Sequence, residues 1–99
     1  MINGRTKGNS FERWFCTLLK SMGYTAERAS YVNKKLDDEG KIDIVTNHPI
    51  NWQLKATEQS PQFHKVLGSM DKSKPRAIVW KRNRKPILII MELDEYLNL

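Results

Sequence analysis

Apolar side chains recur at helical spacing in the first quarter of the chain. The members of this stripe are Phe11, Trp14, Phe15, Leu18, Leu19 and Met22. Separations of three and four residues place such side chains on one face of an α-helix. Asn9 or Ser10 suits the N-cap, and Gly23 suits the position just beyond the C-terminal end. The pattern predicts a helix from about Ser10 to Met22.

Two runs of alternating apolar and polar residues, 42–46 and 50–57, predict two half-buried strands. The sequence Asn47-His48-Pro49 between them is typical of a turn, so we expect a β-hairpin. A three-residue turn pairs Asp43 with Gln53 and Lys41 with Lys55, on one polar face. The other face would then carry the apolar residues of both strands, which are Ile42, Ile44, Trp52, Leu54 and Ala56.

The register of this hairpin decides where Asp43 points. A turn with an even number of residues would place Asp43 on the apolar face, beside Trp52 and Leu54, where a carboxylate is costly. The hydrophobic pattern therefore favours the register that gathers Asp43, Gln53 and Lys55 on one side.

The rest of the chain completes an α/β (α+β) pattern. We expect a flexible basic arm at 1–8, a short strand within Tyr24–Ser30, a mobile loop at Tyr31–Gly40, a helix after Ser60-Pro61, strands at Ala77–Lys81 and Ile87–Met91, and a last helical turn capped by Asp94. The order αβββαββ predicts a central mixed five-stranded sheet flanked by helices.

Composition narrows the class of protein. A length of 99 residues predicts one domain, and a formal charge of +6 favours a polyanionic partner. No apolar run approaches the ~20 residues of a membrane helix, and we expect no signal peptide, because the first residues have no apolar core. A single cysteine forms no internal disulfide, which favours a reducing cytoplasm.

The polar face of the hairpin carries groups suited to phosphate chemistry. The Asp43 carboxylate could hold Mg²⁺, Lys55 could orient a water molecule and offset developing charge, and Gln53 offers an amide oxygen. The plain alternative is that a solvated strand face carries Asp, Gln and Lys without any chemistry.

Several of these residues also match a known pattern. Asp43, ten residues before Gln53-Leu54-Lys55, resembles the D…(E/Q)xK core of the PD-(D/E)xK nuclease superfamily. The segment Lys7-Gly8-Asn9-Ser10-Phe11-Glu12-Arg13 resembles the start of the first helix in archaeal-type Holliday junction resolvases and their phage relatives. The resemblance implies a restriction-endonuclease-like core.

The resemblance implies a role for each matching residue. Asp43 would be the principal metal ligand, joined by Glu12, by Gln53 and by the backbone carbonyl of Leu54. Lys55 would be the catalytic lysine, and Mg²⁺, with Mn²⁺ as a substitute, would activate the water that hydrolyses a DNA phosphodiester. Gln53 departs from the family pattern, because it replaces an acid and removes one negative charge from the site.

The predicted DNA-binding residues flank this site in the sequence. They are Arg5, Lys7, Arg28, Ser30, Lys34 and Lys35, where Ser30 is at the position of a catalytic-loop serine in the relatives. A four-way junction needs two symmetric cuts, so we expect a twofold homodimer.

We therefore expect a metal-dependent, structure-selective DNA endonuclease that resolves four-way (Holliday) junctions. Two alternatives stay open. One is a non-catalytic DNA-binding module on the same fold, and the other is a nuclease for other branched or nicked DNA.

Overall fold

Helices and strands alternate along the chain. The computed structural model describes the backbone of residues 4–99 and the side chains of residues 8–99. The helices are α1 (Gly4–Ser21), α2 (Ala29–Val32), α3 (Lys34–Asp38), α4 (Phe63–Ser69) and α5 (Leu93–Leu97). The strands are β1 (Ala26–Arg28), β2 (Ile44–Thr46), β3 (Asn51–Ala56), β4 (Arg76–Lys81) and β5 (Leu88–Met91).

The strands form two sheets, so the prediction of a single five-stranded sheet is wrong. β1 and β2 pair antiparallel, while β3, β4 and β5 form a separate sheet in that order. β3 and β4 are parallel, with α4 between them in the sequence, and β4 and β5 are antiparallel, so the larger sheet is mixed as predicted. β2 begins only at Ile44, and Lys41, three residues before it, has a left-handed conformation with φ 54°.

α1 starts earlier than the sequence pattern predicts. It is helical from Gly4 rather than from about Ser10, and the flexibility of the arm at 1–8 stays a prediction. Asn9 is not the N-cap, because its side chain accepts a hydrogen bond from Arg28 instead. The predicted C-terminal end is confirmed. Gly23 has φ 94°, and the amides of Gly23 and Tyr24 close the helix on the carbonyls of Lys20 and Leu19.

The segment predicted as a mobile loop, Tyr31–Gly40, contains the end of α2 and the whole of α3. Asn33 separates the two helices, and its side chain caps α3 by accepting a hydrogen bond from Leu36 N–H. Leu36 packs against the apolar core. A cap and one buried apolar contact thus order a segment whose charged sequence shows no helical period.

The larger sheet carries an apolar cluster on each face. One cluster contains α1 and alternate sheet residues: Phe11, Phe15, Cys16, Leu19, Ala26, Ile44, Ile50, Trp52, Leu54, Ala77 and Val79. The other lies under α4: Ile42, Leu67, Met70, Ile78 and Trp80. Ile42 and Ile44 therefore belong to different clusters, and the prediction that they share a face is wrong. Residues 41–43 lie outside β2, so the strand alternation on which that prediction depended does not extend to Ile42.

The C-terminal helix α5 is held to the sheet by a buried arginine. The guanidinium of Arg76 donates to Glu95 Oε1 from Nε at 2.8 Å and from Nη2 at 2.6 Å, and to the carbonyl of Leu67 at 2.9 Å. Glu92, rather than the predicted Asp94, is the N-cap residue of α5. Within residues 4–99, no helix is both long and apolar enough to cross a membrane.

Candidate active site where the two sheets meet

Asp43 joins the two sheets through three hydrogen bonds. Its backbone N–H donates to the Trp52 carbonyl at 2.9 Å, and its backbone carbonyl accepts from Ala29 N–H at 2.8 Å. Its side-chain Oδ2 accepts from Leu54 N–H at 2.7 Å. The carboxylate thus takes the position at the edge of β3 that a carbonyl of a paired strand would occupy. Among the described residues, none donates a hydrogen bond to Oδ1 of Asp43.

The predicted hairpin ladder does not form. β2 pairs with β1, from Ala26 opposite Thr46 to Arg28 opposite Ile44, and not with β3. The predicted pairing of Thr46 with Ile50 and of Lys41 with Lys55 is therefore wrong. What survives is the approach of Asp43 to the middle of β3, made through its own side chain and one backbone bond.

Gln53 and Lys55 share one face of β3, as predicted. They lie opposite Ile78 and Trp80 in the parallel register, and both are half-buried, whereas Trp52 and Leu54 are buried on the other face. The amide oxygen Oε1 of Gln53 is buried without a hydrogen-bond partner among the described residues. A buried amide oxygen can accept a hydrogen bond or bind a cation, so this atom is available as an oxygen donor.

Leu54 turns its main chain toward Asp43. Within a strand, the N–H and C=O of one residue point to the same edge. Leu54 N–H bonds to Asp43, so its carbonyl also faces the edge of β3 away from β4. The predicted backbone ligand is therefore directed to the side where the Asp43 carboxylate lies.

Glu12 reaches the same region from α1 and is held by Arg28. Arg28 Nε donates to Glu12 Oε1 at 3.1 Å, Arg28 Nη2 donates to Asn9 Oδ1 at 2.8 Å, and the guanidinium lies 4.5 Å from the centre of the Tyr31 ring. Arg28 is 9% exposed. Its guanidinium therefore positions Glu12, and it is less available to DNA than the sequence suggested.

The electrostatics of these carboxylates show that they are neighbours. The pKa of Asp43 is raised to about 7, chiefly by burial and also by the negative charges of Glu12 and Asp37. The Leu54 N–H and the charge of Lys55 act in the opposite direction. Burial also raises the pKa of Glu12, which the bond from Arg28 only partly offsets. Clustered carboxylates with raised pKa values are typical of sites that bind a cation or transfer a proton.

Sequence reasoning missed Asp37. This residue lies in α3, and its charge raises the pKa of both Glu12 and Asp43. The only signal in the sequence was the acidic run Asp37-Asp38-Glu39, which has no fixed position without the fold. Asp37 is half-buried, whereas Asp38 is exposed.

The donor set suits Mg²⁺. The residues offer carboxylate oxygens from Asp43 and Glu12, an unpartnered amide oxygen from Gln53 and a main-chain carbonyl from Leu54. Oxygen donors are what Mg²⁺ prefers. No group of three His, Cys, Asp or Glu side chains arranged to hold a metal occurs among the described residues.

Of the other residues predicted to bind DNA, some have described side chains and some do not. Ser30 in α2 is exposed, and so are Lys34 and Lys35, which lie on α3 together with Asp37. The side chains of Arg5 and Lys7 lie outside the described residues.

Comparison with family models, with curated proteins and with solved structures found no match to this chain. The resemblance to the resolvases stays a prediction. What this chain itself provides is the grouping of Glu12, Asp43, Gln53 and Lys55 around the junction of the two sheets.

Proposed function

We propose that the chain is a Mg²⁺-dependent DNA endonuclease with its active site at the junction of the two sheets. The observation that carries the proposal is that the Asp43 carboxylate, whose pKa is raised to about 7, accepts a hydrogen bond from Leu54 N–H, between Gln53 and Lys55 on β3. The amide oxygen of Gln53 has no partner among the described residues. A divalent cation would supply positive charge beside the Asp43 carboxylate. It would also give the Gln53 amide oxygen a partner.

Each residue has a distinct role in this proposal. Asp43, Gln53, Glu12 and the Leu54 carbonyl would hold the cation, which supplies Lewis acidity toward a phosphate and lowers the pKa of bound water. Lys55 shares the polar face of β3 with Gln53, and its charge acts on Asp43. An ammonium group there would stabilise negative charge that develops on the phosphate. Arg28 holds Glu12 in place through Nε.

The proposed substrate is branched DNA, in particular the four-way junction. The formal charge of +6 favours a polyanion, and the exposed Lys34 and Lys35 lie on the helix that also carries Asp37. Symmetric cutting of a junction requires two sites, which a homodimer would supply. A cytoplasmic location is part of the proposal, because the single cysteine, Cys16, is buried and unpaired.

The test is cleavage of an end-labelled four-way junction with Mg²⁺ or Mn²⁺, compared with flapped, nicked and plain duplexes. We expect paired symmetric nicks from the wild type. We expect a loss of at least about a hundredfold in rate for Asp43→Asn and Lys55→Ala. Lys65→Ala is the matched control, since Lys65 is an exposed lysine on α4.

Two results would replace the proposal. Tight junction binding without metal-dependent cleavage would identify a non-catalytic DNA-binding module on this fold. Cutting of flaps or nicked duplex in preference to junctions would keep the nuclease and change its substrate.

A further inference from the structure

The outer edge of β5 is the most exposed apolar strand surface of the molecule. β5 is the edge strand of the larger sheet, and all four of its residues, Leu88–Met91, are apolar. Leu88 is 48% exposed and Ile89 59%. Within residues 4–99, no strand pairs with the outer edge of β5. Edge strands usually carry charge, proline or a bulge that prevents pairing, and β5 itself has none of these.

The apolar surface continues from β5 onto α5. Leu93 is 68% exposed and Tyr96 61%, and these two residues line a groove of about 490 Å³ together with Ile89 and Met91. Monomeric proteins rarely expose a continuous apolar patch that joins a strand edge to a helix. We call this patch, formed by β5 and the exposed residues of α5, the β5 face.

Charges at the two ends of β5 identify the partner. The residues before the strand, Arg82, Arg84 and Lys85, are basic and exposed, and the residues after it, Glu92 and Asp94, are acidic and exposed. When two identical strands pair antiparallel, the start of each lies beside the end of the other. The basic end of one copy then meets the acidic end of its partner twice, whereas parallel pairing would bring like charges together.

We propose that a second copy of this chain docks on the β5 face, with the two β5 strands antiparallel about a twofold axis. Directly paired residues share a face of the sheet, so the axis passes beside either Ile89 or Ile90. Either register places the basic segment before β5 of one copy at the end of β5 that precedes the acidic segment of the other. The result is a continuous six-stranded sheet. The inference deepens the proposed function, which calls for a homodimer, by naming the interface, and it holds equally for a chain that cuts nothing.

The first experiment is sedimentation velocity across micromolar concentrations, with the full chain and without DNA. We expect a dimer from the wild type and a monomer from Ile89→Lys, because a lysine there places charge in the paired edge. Leu18→Lys is the matched control, since Leu18 is an exposed apolar residue on α1, and it should stay dimeric. Circular dichroism and thermal unfolding confirm that each variant is folded.

The second experiment tests the charge pairing. Lys85→Glu and Asp94→Lys should each weaken the dimer by several-fold to about tenfold, since the contact occurs twice. The combined variant should recover wild-type association. A monomeric wild type, or a dimer that Ile89→Lys leaves intact, overturns the inference, and so does a combined variant weaker than both single ones.

These readouts separate the β5 face from the proposed nuclease. A dimer that does not cleave DNA supports the interface and contradicts the nuclease. A wild type that is monomeric and still cleaves junctions contradicts the interface alone.

Discussion

Two nearly buried arginines, Arg76 and Arg28, have opposite surroundings. Arg76 donates twice to Glu95, bonds the Leu67 carbonyl and lies 3.3 Å from Glu92. Arg28 donates once to Glu12 and once to Asn9. The two residues are 7% and 9% exposed, so burial does not distinguish them. The difference lies in how completely the neighbouring carboxylates are neutralised.

The pKa values of Glu95 and Glu12, the carboxylates beside the two arginines, shift in opposite directions. Burial raises the pKa of Glu95, but the backbone and side-chain bonds from Arg76 outweigh it, and the net effect is a lowered pKa. At Glu12, burial outweighs the bond from Arg28, and the pKa is raised. The Arg76 cluster is therefore satisfied within the protein, whereas the cluster of Glu12, Asp37 and Asp43 has excess negative charge. A satisfied cluster stabilises the fold, and an unsatisfied one is a candidate site.

The largest expected effect is on the free energy of unfolding, which substitution of Arg76 should lower more than substitution of Arg28. Arg76→Gln should lower the free energy of unfolding by about 3 kcal/mol, because it leaves Glu95 without its partner and releases α5. Arg28→Gln should cost about 1 kcal/mol, since Glu12 then loses one bond. Urea denaturation monitored by tryptophan fluorescence measures both. Equal losses for the two variants would contradict the distinction between the clusters.

The sequence predicted the elements better than their pairing. The apolar stripe of α1 and the alternation of β3 were readable because each depends on local periodicity. The division into two sheets was not, because it depends on β2 pairing with β1 rather than with β3, a choice that local periodicity does not encode. The two short helices were missed because their stability depends on the Asn33 cap and on Leu36 packing.

The candidate site shows the same limits. Asp43, Gln53 and Lys55 were predicted from the hairpin register and from the resemblance. In the structure Asp43 bonds Leu54 N–H without the predicted hairpin, and Gln53 and Lys55 share one face of β3. Asp37 and the Glu12–Arg28 pair were beyond the sequence, since each depends on tertiary contacts between separate elements.

The next largest expected effect is a dependence of stability on pH that arises from Asp43. The folded pKa of Asp43 is raised to about 7, above the unfolded value of about 3.9, so the folded state binds this proton more tightly. This contribution to stability is complete below about pH 4 and is lost as the pH rises to about 7, with a loss on the order of 2 to 4 kcal/mol.

Unfolding of the wild type and of Asp43→Asn without metal, measured across this range, isolates that contribution. Asn keeps an acceptor for Leu54 N–H, so the variant should lose less stability on the alkaline side. Mg²⁺ at pH 8 should stabilise the wild type but not the variant, because it stabilises the ionised carboxylate. Parallel profiles for the two proteins would show that Asp43 is not in the environment described.

A smaller change is expected from restoring an acid at the position of Gln53. Gln53→Glu adds a carboxylate where an amide oxygen lacks a partner, and it should tighten Mg²⁺ binding by about tenfold. Without metal, the added charge should raise the pKa of Asp43 further, because like charges disfavour ionisation. Isothermal titration with Mg²⁺ measures the affinity, with Gln53→Ala as the comparison. Unchanged affinity in Gln53→Glu would exclude this side chain as a ligand.

The smallest effect tests whether Asp37 belongs to the unsatisfied cluster. Asp37→Asn removes one negative charge and should lower the pKa of Asp43, because that charge raises it in the wild type. It should also weaken Mg²⁺ binding a few-fold, since a cation is attracted by the summed charge of the carboxylates. Asp38→Asn is the matched control on the same helix, because Asp38 is exposed and its charge is not among those that raise the pKa of Asp43. NMR titration of the Asp43 carboxyl in the two variants decides the question. If both shift the pKa equally, the excess charge is a general property of α3, and the contrast with Arg76 depends on Glu12 and Asp43 alone.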